Sequence, residues 1–228
     1  EAAGGSGAGL IDAALLVEEA GRTLASAPIV EGIVACRLLA ELGGPAAWLE
    51  SALAGEKVVT LALHEAVPGI DQVVPAGAVA HGILALESEE VFLLARTPRG
   101  AAVSNHGSQP IARLVLSGQG AEGERITVAK GAAARAAFLA GIEEWKLLTS
   151  AQLNGLSRKA LDHAVAYAKE RIQFDRPIGS YQAVSHPLAD RLADVDAAQL
   201  FTWWTIQQIA EGKPKAAAAV NMAYWWSA

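Results

Sequence analysis

The spacing of hydrophobic and polar residues changes twice along the chain, and these changes divide it into three regions. Residues 9–56 are rich in Ala, Leu and Glu, and their apolar residues recur three and four positions apart, which is the spacing of an amphipathic helix. The pattern predicts a helix with Asp12 near its start and two further helices at 31–42 and 46–54. We therefore expect an N-terminal helical domain over residues 1–56.

Residues 57–131 change to short runs of Val, Leu and Ile that are bounded by Gly and Pro, including KVVTLALHE, EVFLLART and RITVAKG. Apolar runs of this length between turn signals are typical of β-strands. The segment LESEEVF predicts a hairpin connection between two strands. We therefore expect a small middle β domain over residues 57–131, folded as a barrel or a sandwich.

Residues 132–228 return to the helical period, and no proline interrupts residues 136–171. A second helix is predicted over about 182–211, with Pro187 in its first turns, where a missing N–H is tolerated, and a third begins near Lys215. The predicted fold class is thus α+β, with an N-terminal helical domain, a small middle β domain and a C-terminal helical bundle. We expect the two outer domains to be incomplete.

The composition narrows the class of protein. Eighteen Lys and Arg against 24 Asp and Glu give a net charge of −6, and no segment forms the basic stripe that nucleic-acid binding requires. Charges break every apolar run well short of the ~18 residues of a membrane span. Cys36 is the sole cysteine, so an intrachain disulfide is impossible and a cytoplasmic protein is the simplest interpretation. The five histidines lack metal-ligand spacing, so we expect no metal site.

The stretch AYAKERIQFDRPIGSYQAV, residues 166–184, combines a helix end, a turn and the start of another helix with an unusual set of side chains. Its cationic and amide side chains lie close in sequence to the aromatic residues Phe174 and Tyr181. The guanidinium of an arginine can bind two phosphate oxygens at once. Such a corner would suit the pyrophosphate and adenine of a dinucleotide. The alternative is that Lys169 and Arg171 merely complement the dipole of the preceding helix, and no Gly-rich phosphate loop decides between the two.

A longer stretch, AVAYAKERIQFDRPIGSYQAVSHPLADRLADVDAAQLFTWW, resembles the acyl-CoA dehydrogenase family. The family has a long helix ending in YAKxRxQFGxPI, then a Gln-Ala pair and a helix with LADM-like spacing. The segment GGSGAGLIDAALLVEEAGR is similar to the family's PExxGGxG segment and the helix after it. The resemblance is specific over residues 151–200, fair over 4–45 and weak across the β region. It implies FAD as cofactor and removal of hydrogens from Cα and Cβ of an acyl-CoA thioester.

The resemblance also implies roles for individual residues. In this family the corner contacts the FAD of the neighbouring subunit. Carried over by position, the resemblance implies that Arg171 and Gln173 hold the pyrophosphate region of FAD. It implies that Phe174 and Ile178 line the adenosine, and that Tyr181 and Gln182 close the site. The chain departs from the pattern at Asp175, where the family usually has Gly.

Other departures concern the flavin ring and the catalytic base. Glu65 remains of the family's TEPxAGSD segment, but the Trp and Thr/Ser positions that contact the flavin ring are Val73 and Pro75, so this pocket is degenerate or residues are missing from it. One position that the family uses for its catalytic Glu aligns with Trp145. The adjacent Glu144 is a weak candidate for the base, and no other catalytic residue is identified.

These observations predict one subunit of an FAD-dependent acyl-CoA dehydrogenase that pairs with a related subunit, as in α2β2 members of the family. The substrate would be an acyl-CoA, such as one with a bulky or steroid side chain, and a separate electron-transfer acceptor would take the electrons. Two alternatives stay open. The chain could be a homo-oligomeric acyl-CoA dehydrogenase whose missing parts lie outside these 228 residues, or a non-catalytic scaffold subunit.

Overall fold

The computed structural model describes residues 7–98, 102–213 and 216–228. The predicted helix start near Lys215 and the first residues of the glycine-rich N-terminal segment lie outside them. The elements in chain order are α1 (Leu10–Arg22), α2 (Ile29–Glu41), α3 (Ala46–Leu53), β1 (Val59–Leu61), β2 (Asp71–Val74), β3 (Gly82–Glu87), β4 (Glu90–Ala95), β5 (Ala112–Val115), β6 (Glu124–Lys130), α4 (Ala132–Glu170), β7 (Ile172–Gln173), β8 (Arg176–Pro177), a 3-10 turn (Ile178–Ser180), α5 (Gln182–Ala210) and α6 (Ala216–Ser227).

The chain divides into two compact units. The first contains Ser26–Trp145, and the second contains Ala8–Ala25 with Lys146–Ala228. The predicted mixture of helical and sheet regions is confirmed, and every predicted helix that lies within the described residues is present. The long helix α4 contributes to both units.

The first unit contains two sheets. In the four-stranded sheet the order is β1-β3-β4-β6, with β1 parallel to β3 and the other neighbours antiparallel, while β2 pairs with β5 in a separate antiparallel ribbon. The predicted hairpin in LESEEVF is confirmed, since Glu87 pairs with Glu90 around a turn that holds Ser88 at a φ of 55°.

One apolar core joins the two sheets of the first unit. Strands β3 and β4 direct Ile83 and Phe92 into it, β2 adds Val74, and Leu116 follows β5. Side chains of alternate strand residues point to the same face, which is why Ala85 and Leu94 enter the same core. The sharing of one core by two sheets is the arrangement of a small sandwich.

Helix α1 crosses α4 at two glycines in the second unit. A Cβ on Gly21 would lie 1.9 Å from the Gln152 carbonyl oxygen, and one on Gly155 would lie 1.9 Å from the Glu18 carbonyl oxygen. Only residues without a side chain permit backbones to approach this closely. The α4–α5 contact is also polar, because the Asn154 amide donates to the Thr202 hydroxyl at 2.9 Å in a buried position. These contacts fix α4 and α5 as a hairpin.

Pro187 is the sixth residue of α5 and therefore lies beyond the first four positions, whose N–H groups lack a partner in any helix. The helix tolerates Pro187 there, as expected, although the position is not one at which the N–H would be free in any case. The helix gives up one hydrogen bond there and still continues to Ala210, where Gly212, with a φ of 65°, provides the left-handed residue that often follows a helix end.

Candidate functional site

The candidate cofactor corner, residues 171–182, connects the end of α4 to the start of α5. The backbone N–H of Arg171 donates to the Tyr167 carbonyl at 2.9 Å, which completes the last turn of α4. The chain then forms a two-stranded ribbon in which Ile172 pairs with Pro177 and Gln173 with Arg176. The N–H of Ile178 donates to the Arg171 carbonyl at 2.8 Å and extends the ribbon by one bond.

The ribbon reverses through Phe174 and Asp175, whose φ angles are 50° and 62°. Two successive positive φ values between paired strands are the signature of a type I′ turn, which matches the twist of the strands and favours Asn, Asp or Gly. Asp175 therefore occupies a position where Asp is tolerated and Gly is unstrained.

Tyr181 is held beneath the turn. Its hydroxyl donates to the Gln173 carbonyl at 3.1 Å, and its ring meets that of Phe174 edge-on, with centroids 6.4 Å apart. The Arg176 guanidinium lies above the same ring, 4.1 Å from its centroid. The sequence-based cofactor set left out Arg176, although recognising a two-residue turn at 174–175 would have placed it directly opposite Gln173.

Gly179 brings the 3-10 turn against α4. A Cβ at this position would lie 3.0 Å from the Ala168 carbonyl oxygen, so a larger residue would push the turn away from the helix. The sequence Pro-Ile-Gly therefore fits a close backbone approach, and α5 begins at Gln182 directly after it.

The six residues predicted to contact the cofactor lie in one twelve-residue segment. The side chains of four of them face solvent and those of Ile178 and Tyr181 are half-buried; the four are Arg171, Gln173, Phe174 and Gln182. Phe174 is 88% exposed, which is unusual for a phenylalanine. The segment offers guanidinium and amide donors beside aromatic rings, and this donor set fits a pyrophosphate and an adenine. A dipole role alone would explain a cation near the end of α4, but not the exposed ring.

The β-region residues that align with flavin-ring contacts are bonded within the first unit. The Pro75 carbonyl accepts a hydrogen bond from the buried Thr60 hydroxyl at 2.7 Å, and Val73 pairs with Arg113 in the β2–β5 ribbon. Glu65 accepts from Arg135 at 3.0 Å and from the Ser88 N–H at 2.7 Å. These two hydrogen bonds, that from Arg135 first, hold the pKa of Glu65 below its ordinary value.

Glu144 lies on α4, and its side chain packs against α2. Its Oε1 is buried and lies 3.2 Å from Arg37 Nε, close enough for an ion pair but not aligned as a hydrogen bond. Burial raises the pKa of the Glu144 carboxyl, and the charge of Arg37 opposes the shift. The neighbouring Trp145 Nε1 donates to Glu31 at 3.3 Å. The contacts of Glu144 thus account for its burial by packing against α2.

Within the described ranges, no three His, Cys, Asp or Glu side chains are placed to hold a metal ion. Cys36 is a half-buried free thiol whose pKa is raised by burial, the opposite of what a reactive thiolate needs. None of the described helices is long and apolar enough to cross a membrane.

Comparison with known proteins identifies the chain's relatives. A family model described as "Acyl-CoA dehydrogenase, C-terminal domain" matches residues 136–228. The acyl-CoA dehydrogenase FadE27 of Mycobacterium tuberculosis (strain ATCC 25618 / H37Rv) is 30% identical over 235 aligned residues, which cover 92% of this chain. The chain spans 62% of the length of that relative.

Two solved structures share the fold over almost the whole chain. One is the ChsE4-ChsE5 complex from Mycobacterium tuberculosis, with a TM-score of 0.80 and 29% identity, covering 98% of this chain and 67% of that chain. The other is described as the Tcur3481-Tcur3483 steroid ACAD G363A variant, with a TM-score of 0.79 and 27% identity, covering 99% of this chain and 68% of that chain.

Proposed function

This chain belongs to the acyl-CoA dehydrogenase family, and we propose that it is a subunit of an FAD-dependent acyl-CoA dehydrogenase. The enzyme would remove hydrogens from Cα and Cβ of an acyl-CoA thioester, and this chain would complete an FAD site on a partner subunit. The observation that carries the proposal is the candidate cofactor corner. It is fully formed by bonds within the chain, yet its rings and cations face outward.

Each residue of the corner has a proposed role toward FAD. Arg171 and Gln173 would bind the pyrophosphate region by charged and amide donors. Phe174 and Ile178 would pack against the adenosine, and Tyr181 with Gln182 would close the site; these six are the proposed cofactor residues. When bound, FAD supplies the acceptor for the hydride that leaves Cβ. This chain's own residues would hold and orient the cofactor, and Glu144 is a weak candidate for the base.

The surroundings of the corner support a subunit interface. Tyr167 is 60% exposed, Ile172 53% and Leu192 43%. Exposed apolar side chains on the helices and ribbon of the corner are groups that a subunit contact would cover. The first unit gives the complementary reason for a partner, since Pro75 offers a flavin ring neither hydroxyl nor N–H. A partner with an intact ring pocket and base would complete the enzyme.

We further propose a related acyl-CoA dehydrogenase subunit as the partner, in an α2β2 assembly. One similar structure is the ChsE4-ChsE5 complex, and another is the Tcur3481-Tcur3483 steroid ACAD G363A variant. By analogy, the substrate would be a bulky acyl-CoA such as one with a steroid side chain, and an electron-transfer acceptor would reoxidise the flavin. The assembly would work in the cytoplasm, in keeping with the single cysteine, Cys36.

The test is to count FAD per chain in the protein purified alone and in the assembly captured from its native host through a tag on this chain. The proposal expects the isolated chain to be colourless and the hetero-assembly to hold about one FAD per two chains. One FAD per chain in the isolated protein would instead support a homo-oligomeric enzyme. Absence of flavin from every state would leave a scaffold subunit.

A further inference from the structure

The geometry of the candidate cofactor corner singles out a residue that the family resemblance does not assign. In an antiparallel ribbon, two directly opposed residues project their side chains from the same face. Gln173 opposes Arg176 in the β7–β8 ribbon, and Arg171 directly precedes the ribbon, where its carbonyl accepts from the Ile178 N–H at 2.8 Å. The ribbon therefore presents Arg176 on the same face as Gln173, which is proposed for the pyrophosphate, while Ile172 and Pro177 share the other face.

Arg176 is also held in place before any ligand arrives. Its guanidinium lies over the Tyr181 ring at 4.1 Å from the centroid, within the range of a cation–π contact. Tyr181 is itself fixed at both ends, by the hydroxyl bond to the Gln173 carbonyl at 3.1 Å and by its N–H bond to the Ile178 carbonyl at 3.1 Å. A cation that is already oriented loses less conformational entropy when it binds an anion.

Arg176 is one of the cations that make the charge of the corner positive. The segment from the end of α4 to β8 carries three cations and two acids, namely Lys169, Arg171, Arg176, Glu170 and Asp175. Without Arg176 the charges would cancel, and an anionic ligand would meet a neutral surface. With it the segment is positive, in spite of the acid that occupies the turn.

We propose that Arg176 is a further cofactor-binding residue, whose guanidinium binds the diphosphate of a dinucleotide beside Arg171. This inference rests on the proposed function, because it assigns a residue to the same FAD site. A planar guanidinium can contact two phosphate oxygens at once, and a stacked guanidinium keeps its edge N–H groups available. Tyr181 would thus act through Arg176 as well as directly.

The experiment measures ligand binding to the native assembly, captured through a tag on this chain and stripped of flavin. FAD is titrated by fluorescence, and ADP and adenosine are measured as competitors. Arg176→Gln is expected to raise the Kd for FAD and for ADP about tenfold, as loss of one charge-assisted hydrogen bond would. It should leave adenosine unchanged, since adenosine has no diphosphate. The Kd for FAD should also become less sensitive to salt, because one screened charge contact is gone.

Two further variants make the result decisive. Arg176→Lys keeps the charge but not the planar fork and should lie between the wild type and Arg176→Gln. Arg191→Ala removes a cation that pairs with Asp194 on α5, outside the corner, and should change neither Kd. Thermal unfolding of the flavin-free assembly checks that each variant is folded.

The outcomes separate this inference from the proposed function. If Arg176→Gln binds FAD and ADP as the wild type does, while Arg171→Ala does not, Arg176 is not a cofactor residue and the proposed function stands. Equal losses for ADP and adenosine would mean that Arg176 only supports Tyr181, which also overturns the inference. If neither arginine affects binding, both the inference and the proposed function fail.

Discussion

The candidate cofactor corner and the β region around Val73 and Pro75 differ in where their polar groups are bonded. In the corner, backbone hydrogen bonds form the ribbon and leave the Arg171, Gln173 and Phe174 side chains facing solvent. In the β region, Pro75 and Glu65 are bonded to other residues of the first unit. The first arrangement is suited to a ligand from outside, and the second to the stability of the unit itself.

The largest expected effect comes from Arg171→Ala. Removing a charge-assisted contact to phosphate, worth about 1.5–3 kcal/mol, should raise the Kd for FAD about ten- to a hundredfold in the native assembly. Fluorescence titration measures it, with Arg191→Ala as the matched loss of a helix cation. If a folded Arg171→Ala variant keeps its full FAD content, Arg171 only complements the dipole of α4 and does not bind the cofactor.

Thr60→Val tests whether the β region around Val73 and Pro75 serves the stability of the first unit. Thr60 is fully buried, and without its hydroxyl the Pro75 carbonyl loses a partner at 2.7 Å. Loss of this partly buried hydrogen bond should lower the free energy of unfolding by about 0.5–1.5 kcal/mol, measured by urea denaturation, while the Kd for FAD stays unchanged. Thr60→Ser retains the hydroxyl and is the control. Weaker FAD binding at unchanged stability would instead place this β region in the flavin site.

Asp175→Gly should strengthen FAD binding at the candidate cofactor corner. Glycine is unstrained at the φ of 62° found there, and removal of an acid from the proposed diphosphate site should tighten FAD binding about threefold. Asp175→Asn keeps the preference for a left-handed conformation and removes only the charge. An equal gain in both variants assigns the effect to charge, and a gain in the glycine variant alone assigns it to the backbone. Weaker binding in both would contradict the expectation.

Glu144→Gln should have the smallest effect on turnover, because the partner is proposed to supply the base. Loss of a true general base would lower the rate by roughly a hundredfold or more. Steady-state kinetics of the assembly measure the turnover rate. Replacing the carboxylic acid of the partner's proposed base by its amide should lower that rate by the amount expected for a general base while FAD stays bound. A large loss from Glu144→Gln at unchanged stability would make this chain the catalytic one.

The stability of the same variant should depend on pH in a defined direction. Burial raises the pKa of Glu144 in the folded state, so the folded chain binds this proton more tightly than the unfolded chain. Its contribution to stability is present at low pH and is lost as the pH rises through the raised pKa. The wild type should therefore gain stability relative to Glu144→Gln as the pH falls. Denaturation at several pH values measures the difference, and a constant difference would contradict it.

The helices could be predicted closely from the sequence because their signals are local. The apolar spacing predicts α2 and α3 to within about two residues of their observed ends. The pairing of β1 with β3 could not be predicted in this way, because Val59 meets Gly82 across intervening chain that carries no pairing signal.

The sequence named the residues of the corner but not their arrangement. Asp175 tolerates a left-handed conformation, but Phe174 is not a residue that favours one, so the sequence signals only one of the two positive φ angles. Without that turn, the position of Arg176 opposite Gln173 stays hidden. The ion pair of Glu144 with Arg37 is equally inaccessible, since it joins two helices that are far apart in sequence.

The bond that holds Tyr181 to Gln173 has a consequence for the maturation of the protein, because it spans only eight positions in the chain. Short loops close at a low entropic cost, and hairpins form within microseconds. The sheet of the first unit must instead join distant segments such as Leu61 and Leu84, which is slower. We therefore expect the corner to be complete early in refolding. A newly made subunit would then meet its partner with this surface already shaped, and cofactor capture would belong to assembly rather than to folding.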